Sequence, residues 1–530
     1  MSGRTTSLPI AGDRISKNDA RKNCIGAVQA LAGVLKTSLG PCGLDKMLVD
    51  DLGEITVSND GATILQKLEV VHPAAKMIVE LAKKQDREVG DGTTTVVLVA
   101  AELLRNADDL ARHHGIHPST IIAGYRAACK ETLKYIRDHQ TIHTDTLGED
   151  TLLNCALTSL SSKILAGSRE FAQMAVGAAQ RVAETGSGGR KCRIEDINVL
   201  KAQGKGAADS ILVDGYALNC TPASHLMPRV VETPRIACID FDLQKSRMRL
   251  GVNILVDSPE NLDKIRKRES EITAERVHKI LASGANVVLS TKGIDDASLK
   301  ILIDNNAVAV RRCNRKDLLR IAEASGTTLL SSLATLDGNE ECEVAPGTAA
   351  RLEVVRLGDN ECTLIRGTEK KGAASVLLRG PNEYMLDEME RAFHDALYAV
   401  RKIIEAPEVV PGGGAVETGA AVHLESIALA LSTHEQLAVE RFGRSLSVVP
   451  HTLAENAAED GLALFAALNK IHHENTSSRF GLDLENGAVV DCVASGTLEP
   501  AVVKTNAFKS ATEAAIAILR IDELVFENHR

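Results

Sequence analysis

Glu88–Ala101 reads EVGDGTTTVVLVAA, a Gly-Asp-Gly turn and three threonines set directly before a helix-length apolar run. Glycines at Gly90 and Gly92 permit unusual φ/ψ and leave backbone amides bare. Threonines are poor helix-interior residues but good caps, with hydroxyls free to bond outward. Asp91 is a single carboxylate between two residues that cannot shield it. These features suit a phosphate and its divalent metal at the mouth of a helix. A plain helix start after a tight turn accounts for the same residues equally well, so the remainder of the chain decides.

A chain of 530 residues is too long for one core and predicts two to four domains. Aromatic residues make up only 2%, with no Trp, so the cores must be packed with Ala, Val, Leu and Ile. That scarcity argues against base-stacking platforms, and a formal net charge of −10 against a nucleic-acid footprint. The most basic stretches, KIRKRES from Lys264 and RRCNRK from Arg311, are short and read as solvated helix faces. Eleven cysteines lie scattered without a Cys-x-x-Cys, which predicts thiols in a reducing compartment rather than a disulfide framework or zinc site. The N-terminal MSGRTTSLPIAGDRIS lacks the apolar core of a signal peptide, and the apolar run Leu462–Leu468 is too short to span a bilayer. A cytosolic, non-membrane protein is expected.

The first ~145 residues carry apolar side chains at helical spacing. KMLVDDLGEITVSNDG interrupts them as a two-stranded turn, and Pro73 stands at a helix start. The helical pattern continues to Val182, and ETGSGGRKCR breaks it. From Asn198 to about Leu378 short β-rich runs (RIACIDFDL, ANVVLS, AVAVRR, TTLLSS, CTLIRG) alternate with helices, which indicates an α/β domain. Helical patterns return with EYMLDEMERAFHDALYAVRKIIE and persist through ATEAAIAILRIDELV. The economical reading is a discontinuous helical domain interrupted by an α/β insert on two linkers, a geometry suited to hinge motion.

No Walker A motif, full GxGxxG, HExxH or metal-spaced Cys/His cluster is present. Instead there are separated polar turns: LGPCG, SNDGAT with Asp60, GDGTTT, TSLSSK, VVPGGGA with three consecutive bare amides, and GTLEP with Glu499. Each is individually ordinary. Asp60 alone reads as a turn residue, and PGGG as a loop. Asp395, within the apolar helix pattern of FHDAL, is harder to dismiss. A buried carboxylate costs about 2–5 kcal/mol unless it is paired, metal-linked or catalytic.

LGPCGLDKM, TVSNDGATIL, EVGDGTTTVV, VVPGGGAVE and LRIDELV together resemble the signature segments of group II chaperonins, essentially from end to end. The resemblance implies a multi-domain α and α/β chaperonin fold. A discontinuous helical equatorial ATPase domain would span 1–146 and 405–530, and a small α/β intermediate hinge domain 147–215 and 370–404. An α/β apical domain would span 216–369, with a helical lid protrusion at about 242–283. It implies a chaperone subunit that couples ATP hydrolysis to lid closure and folding of unfolded proteins, with actin and tubulin among the family's clients. Paralogous subunits in a hetero-oligomeric double ring are the implied partners, the cytoplasm the implied location, and ATP/ADP with Mg2+ the cofactors, K+ being a further candidate.

Residue by residue, the resemblance makes Asp91 the magnesium ligand and sets Gly92, Thr93, Thr94 and Thr95 around the phosphates. Leu39, Gly40 and Pro41 would line the nucleotide pocket, with Gly412 and Gly413 near ribose and base. Glu499 would contact the sugar, with Lys504 close by, and Ser161, Ser162 and Lys163 would reach the phosphates. Asp60 and Asp395 would hold or activate the attacking water, Asp395 arriving on domain closure. Clients would dock near Lys316–Ala324. Departures from the family pattern are the ending FENHR without a Gly/Met-rich tail, which makes tail-based client contact doubtful, Lys292 in STKGID, and NEECEVAPGTAA. Two other readings compete: a stand-alone soluble ATP-dependent enzyme with its substrate site in the α/β insert, and a non-catalytic scaffold. Three costly carboxylates argue against the scaffold.

Overall fold

A computed structural model describes residues 13–148, 150–186, 189–244, 259–333, 344–357, 360–368, 372–431, 434–475 and 477–526. The chain forms two compact units, one of Met1–Gln173 with Arg391–Arg530 and one of Met174–Glu390.

The first unit is built around the helix Thr93–His113. Its opening TTTVVLV is rich in β-branched residues and would suit a strand locally. Burial overrides that preference: Val96, Val97, Val99, Ala100, Leu103, Leu104, Ala107 and Leu110 are wholly inaccessible. Arg112 and His113 close the last turn, where cations complement the helix dipole. The helices Lys17–Lys36, Pro73–Val89, Glu435–Leu446 and Ala501–Leu519 pack around it. A small antiparallel sheet joins Leu498–Pro500, Glu408–Pro411 and Ile142–His143, with Val410 paired to Glu499. Three segments remote in sequence are thereby fixed side by side.

The expected two-stranded turn is the hairpin of Lys46–Val49 with Ile55–Ser58. LRIDELV departs from its helical reading. The helix stops at Leu519, and Glu523–Phe526 is a strand paired antiparallel with Asp13–Ser16.

In the second unit the strands Arg235–Ile239, Val287–Ser290 and Val308–Val310 run parallel within a mixed seven-stranded sheet. Alternate residues face opposite cores. Ile236, Cys238, Val287 and Leu289 join Leu318 and Ile321 on one face, while Ala237, Ile239 and Val288 join Val277, Ile280 and Leu302 on the other. Burial on both faces explains the near-continuous apolar strands. TTLLSS contributes only an isolated bridge from Leu330 to Ile239, and the expected break ETGSGGRKCR holds the hairpin Glu184–Gly186 with Gly189–Lys191. KIRKRES lies on the helix Pro259–Ala282, where Arg268 pairs with Glu271 and Glu275. Of the expected protrusion, 245–258 lies outside the described residues, as does most of NEECEV. RRCNRK is a solvated helix face only in its second half: Arg315 and Lys316 open the helix Arg315–Ser325, exposed, whereas Arg311 and Arg312 precede its cap Asn314.

Candidate functional site

Gly90 ends the helix Pro73–Val89 and Gly92 caps the next, both left-handed at φ 77°. A Cβ on Gly90 would fall 2.3 Å from Tyr398 Cγ, and one on Gly92 3.0 Å from Val503 Cγ1. Conformation favours glycine on both sides of Asp91, and at Gly90 the space does so too. Gln85 Nε2 donates to the Asp91 carbonyl at 3.0 Å and is held in turn through Asn506. Asp91 Oδ1 accepts from the Gly92 amide at 2.7 Å. Its Oδ2 has no hydrogen-bond partner among the described residues.

Asp60 caps the helix Gly61–Lys67. It accepts from the amides of Ala62 at 3.2 Å and Thr63 at 2.9 Å, and from the hydroxyls of Thr63 at 2.8 Å and Thr93 at 3.0 Å. Four donors fill the lone-pair positions of a carboxylate. Asp60 thus ties the NDG turn to the threonine turn, and a Cβ on Gly61 would meet Thr94 Oγ1 at 2.6 Å.

Asp395, on the helix Glu383–Glu405, pairs with Lys163. Burial pushes the Asp395 carboxyl well above the ordinary aspartate range; Lys163 opposes this, while Asp60 and Asp91 add to it. For Lys163, burial works against the charge, but Asp395, Asp91 and Asp60 outweigh it and hold the ammonium above its usual value. These mutual effects bring residues from three distant turns and one helix into a single cluster. The Asn59 amide donates to the Ser162 carbonyl at 2.7 Å, which anchors the Ser161–Lys163 turn to the NDG turn. Ser161 Oγ bonds back to the Thr158 carbonyl at 2.7 Å.

A second group lies beyond Asp91. Lys504 Nζ stands 2.8 Å from Glu417 Oε1 and 3.0 Å from Glu499 Oε2. Burial raises the Glu499 carboxyl, Lys504 pulls it down, and Glu417 and Asp91 raise it again. Gly412 abuts Glu499: its Cβ would lie 3.2 Å from Oε1. Of the three amides expected to be bare, that of Gly412 is committed to the Thr497 carbonyl at 2.9 Å. Gly413, at φ 60°, leaves no space for a Cβ beside the Leu482 carbonyl, 2.8 Å away. Leu39 and its turn are tied through the Leu39 carbonyl to Asn456 Nδ2 at 2.8 Å, and Gly40 packs on Leu453 and Leu484. No hydrogen bond or ion pair among the described residues joins Leu39, Gly40 or Pro41 to the carboxylate cluster.

Two further acids belong here. Asp86, raised by burial and by Asp60, also feels Lys163. Glu417 is wholly buried against Lys504. Glu417 carries the signal that singles out Asp395, an acid in a run of small apolar residues. Asp86 sits in KKQDREV, where nothing distinguishes it from a solvated face. Among the described residues no group of three or more His, Cys, Asp or Glu side chains could hold a metal ion unaided. A hard cation here would take Asp91 Oδ2 and complete its shell with ligand and water oxygens, the habit of Mg2+.

A family model, the TCP-1/cpn60 chaperonin family, matches residues 31–529. T-complex protein 1 subunit alpha of Arabidopsis thaliana is 49% identical, covering 99% of this chain and 98% of its own length. The corresponding protein of Dictyostelium discoideum is 47% identical, with 99% and 97% covered. Thermosome subunit beta of Aeropyrum pernix is 39% identical, with 96% and 91% covered. The chain belongs to the TCP-1/cpn60 chaperonin family. It is a group II chaperonin subunit, most similar among these relatives to the alpha subunits, and the stand-alone enzyme is the disfavoured reading.

Proposed function

We propose that this subunit binds ATP with Mg2+ and hydrolyses it to drive folding of captured polypeptides in a cytosolic double ring of paralogous subunits. The observation that carries the reading is the Lys163–Asp395 pair, buried beside Asp60 and Asp91. Magnesium on Asp91 would supply charge neutralisation at the phosphates. Thr93–Thr95 and the amides opening their helix orient the phosphate chain. Gly412, Gly413, Glu499 and Lys504 face the ribose and base, with Leu39, Gly40 and Pro41 lining the same pocket.

Asp395 takes the proton from the attacking water as its oxygen bonds to the γ-phosphorus and the bond to the β–γ bridging oxygen breaks. Lys163 opposes the upward push of burial on that carboxyl, and with Ser161 and Ser162 it bounds the phosphate end. Asp60, its lone pairs already engaged, orients the threonine turn. The helix Arg315–Ser325 and its surroundings take unfolded clients.

The test is single-turnover hydrolysis by the assembled complex carrying Asp395→Asn in this subunit, with nucleotide binding measured alongside. Loss of turnover at this site by about 10²–10⁴-fold with binding retained supports the reading. Unchanged turnover at the site sinks it.

A further inference from the structure

The strand Gly215–Leu218 runs on into a segment whose Pro222 bridges Val310, while the Ala223 amide bonds the Ala309 carbonyl at 2.8 Å. This pairing sets Cys220 opposite the Arg311–Arg312 turn. Between them lies a cavity of about 690 Å3, walled also by His225, Arg356 and Glu361. The turn is fixed, not splayed: Arg312 sits at φ 57°, its amide bonded to the Lys292 carbonyl at 3.1 Å, and the Cys313 amide to Ser290 at 2.9 Å. The opposite wall is held by Thr363 Oγ1 on the Cys220 carbonyl at 2.8 Å.

One wall of the cavity, the Arg311–Arg312 turn, carries positive charge. Glu361 is already paired with Arg229 at 2.8 Å. Among the described residues Arg311 and Arg312 have no ion-pair partner, and both are exposed. In a chain of net charge −10 this is a local reversal. Guanidinium forks match carboxylates in two parallel hydrogen bonds. A phosphate site would ordinarily borrow helix-terminal amides. Here the adjoining helix gives its Lys316 amide to its own cap, Asn314, at 3.1 Å. The volume exceeds what one small anion fills and falls within the range of pockets that enclose a larger ligand.

We infer that the cavity beside the Arg311–Arg312 turn is a docking site for carboxylate-bearing polypeptide, an extended acidic segment whose Asp or Glu side chains meet these two arginines. The inference rests on the polypeptide-binding reading of this unit and names the sequence chemistry it selects.

The test is fluorescence anisotropy of a labelled, Glu-rich peptide against the assembled complex, with its Gln counterpart as control. The Glu peptide binds more tightly, and more weakly as salt rises. Arg311→Glu with Arg312→Glu weakens it about tenfold or more, while Lys130→Glu with Lys509→Glu, an equal charge change in the other unit, does not. Equal binding of the two peptides, or an unaltered affinity in the arginine variant, overturns the inference. So does displacement of the peptide by low concentrations of inorganic phosphate, which reassigns the cavity to phosphate.

Should the arginine variant fail to assemble, neutral-maleimide labelling of wild-type Cys220, read by peptide mapping, decides. The Glu peptide slows it and the Gln peptide does not; absence of protection overturns the inference. Capture of a chemically unfolded protein is measured in parallel. Capture without Glu preference removes this site alone, and loss of capture removes the polypeptide-binding reading beneath it.

Discussion

Lys163 and Asp395, more than two hundred residues apart in sequence, form a side-chain ion pair in which they are 8% and 13% exposed. Burial raises the Asp395 carboxyl and Lys163 opposes that rise, while the cation draws on Asp60 and Asp91 as well. Removing either partner leaves the other uncompensated. Lys163→Met is expected to destabilise the folded chain by about 3–5 kcal/mol, measured by urea unfolding; a change within error would show the pair to be incidental.

The pair also sets a pH dependence. Asp395 accepts a proton only when ionised, and its carboxyl lies well above the usual range because of burial. Single-turnover hydrolysis should therefore fall as pH drops through that raised value. Lys163→Met removes the opposing pull and should move this acid limb to higher pH. In stability terms, the folded chain holds the Asp395 proton more tightly than the unfolded one. That contribution is complete below the ordinary aspartate value and is lost as pH rises through the raised one. A limb that stays put in the variant contradicts the coupling.

Lys504 serves two acids, Glu417 and Glu499, and is itself 7% exposed. Lys504→Met leaves two carboxylates facing one another and should cost about 3–5 kcal/mol. Glu417→Gln keeps a hydrogen-bonding group against an ammonium still paired with Glu499, and should cost about 1–3 kcal/mol. Denaturant titration of the two variants checks the order, and the reverse order would mean that Glu499 does not share the charge.

Gly90 and Tyr398 form the tightest approach behind the Asp91 turn, 2.3 Å from a built Cβ to the ring. Gly90→Ala is expected to destabilise by about 1–3 kcal/mol through overlap and a left-handed φ together. Adding Tyr398→Ala should recover the overlap component only, giving a less-than-additive double-mutant cycle. Strict additivity of the thermal shifts would remove the steric account.

Asp91 has one oxygen engaged by the Gly92 amide, and the proposed function sets Mg2+ on the other. Asp91→Asn should raise the Mg2+ concentration needed for nucleotide binding, about tenfold or more, while metal-free nucleotide affinity changes little. Titration calorimetry at several Mg2+ levels separates the two. Parallel losses with and without metal would place Asp91 on the nucleotide itself.

Much of this site could be read before any coordinates, for reasons that vary by residue. Asp91 and its glycines announce themselves because a turn leaves a local signature, and Asp395 because a carboxylate in an apolar stripe demands a partner. That partner, Lys163, lies on another turn, and local pattern cannot pair them. Glu417 carried the same signal within AVETGAA and was overshadowed by the glycines before it. The strand Glu523–Phe526 was legible only as an extension of a helix, since its pairing with Asp13–Ser16 spans nearly the whole chain. Charge along the sequence suggests a helix face for Arg311 and Arg312, but the capping residue Asn314 begins that helix after them. The PGGG amides were counted as free, whereas a neighbouring strand end claims the first. For the strand and the PGGG loop, a contact distant in sequence overrides a local preference.

The most direct measurement is a density map of the assembled complex loaded with Mg2+ and a non-hydrolysable ATP analogue. The account predicts metal density on the Asp91 carboxylate, the triphosphate over the amides of Gly92–Thr95, and Asp395 turned to the terminal phosphate. Nucleotide seated away from Asp91 and Glu499, or Asp395 turned from the phosphate with its partner Lys163 in the closed complex, would contradict it.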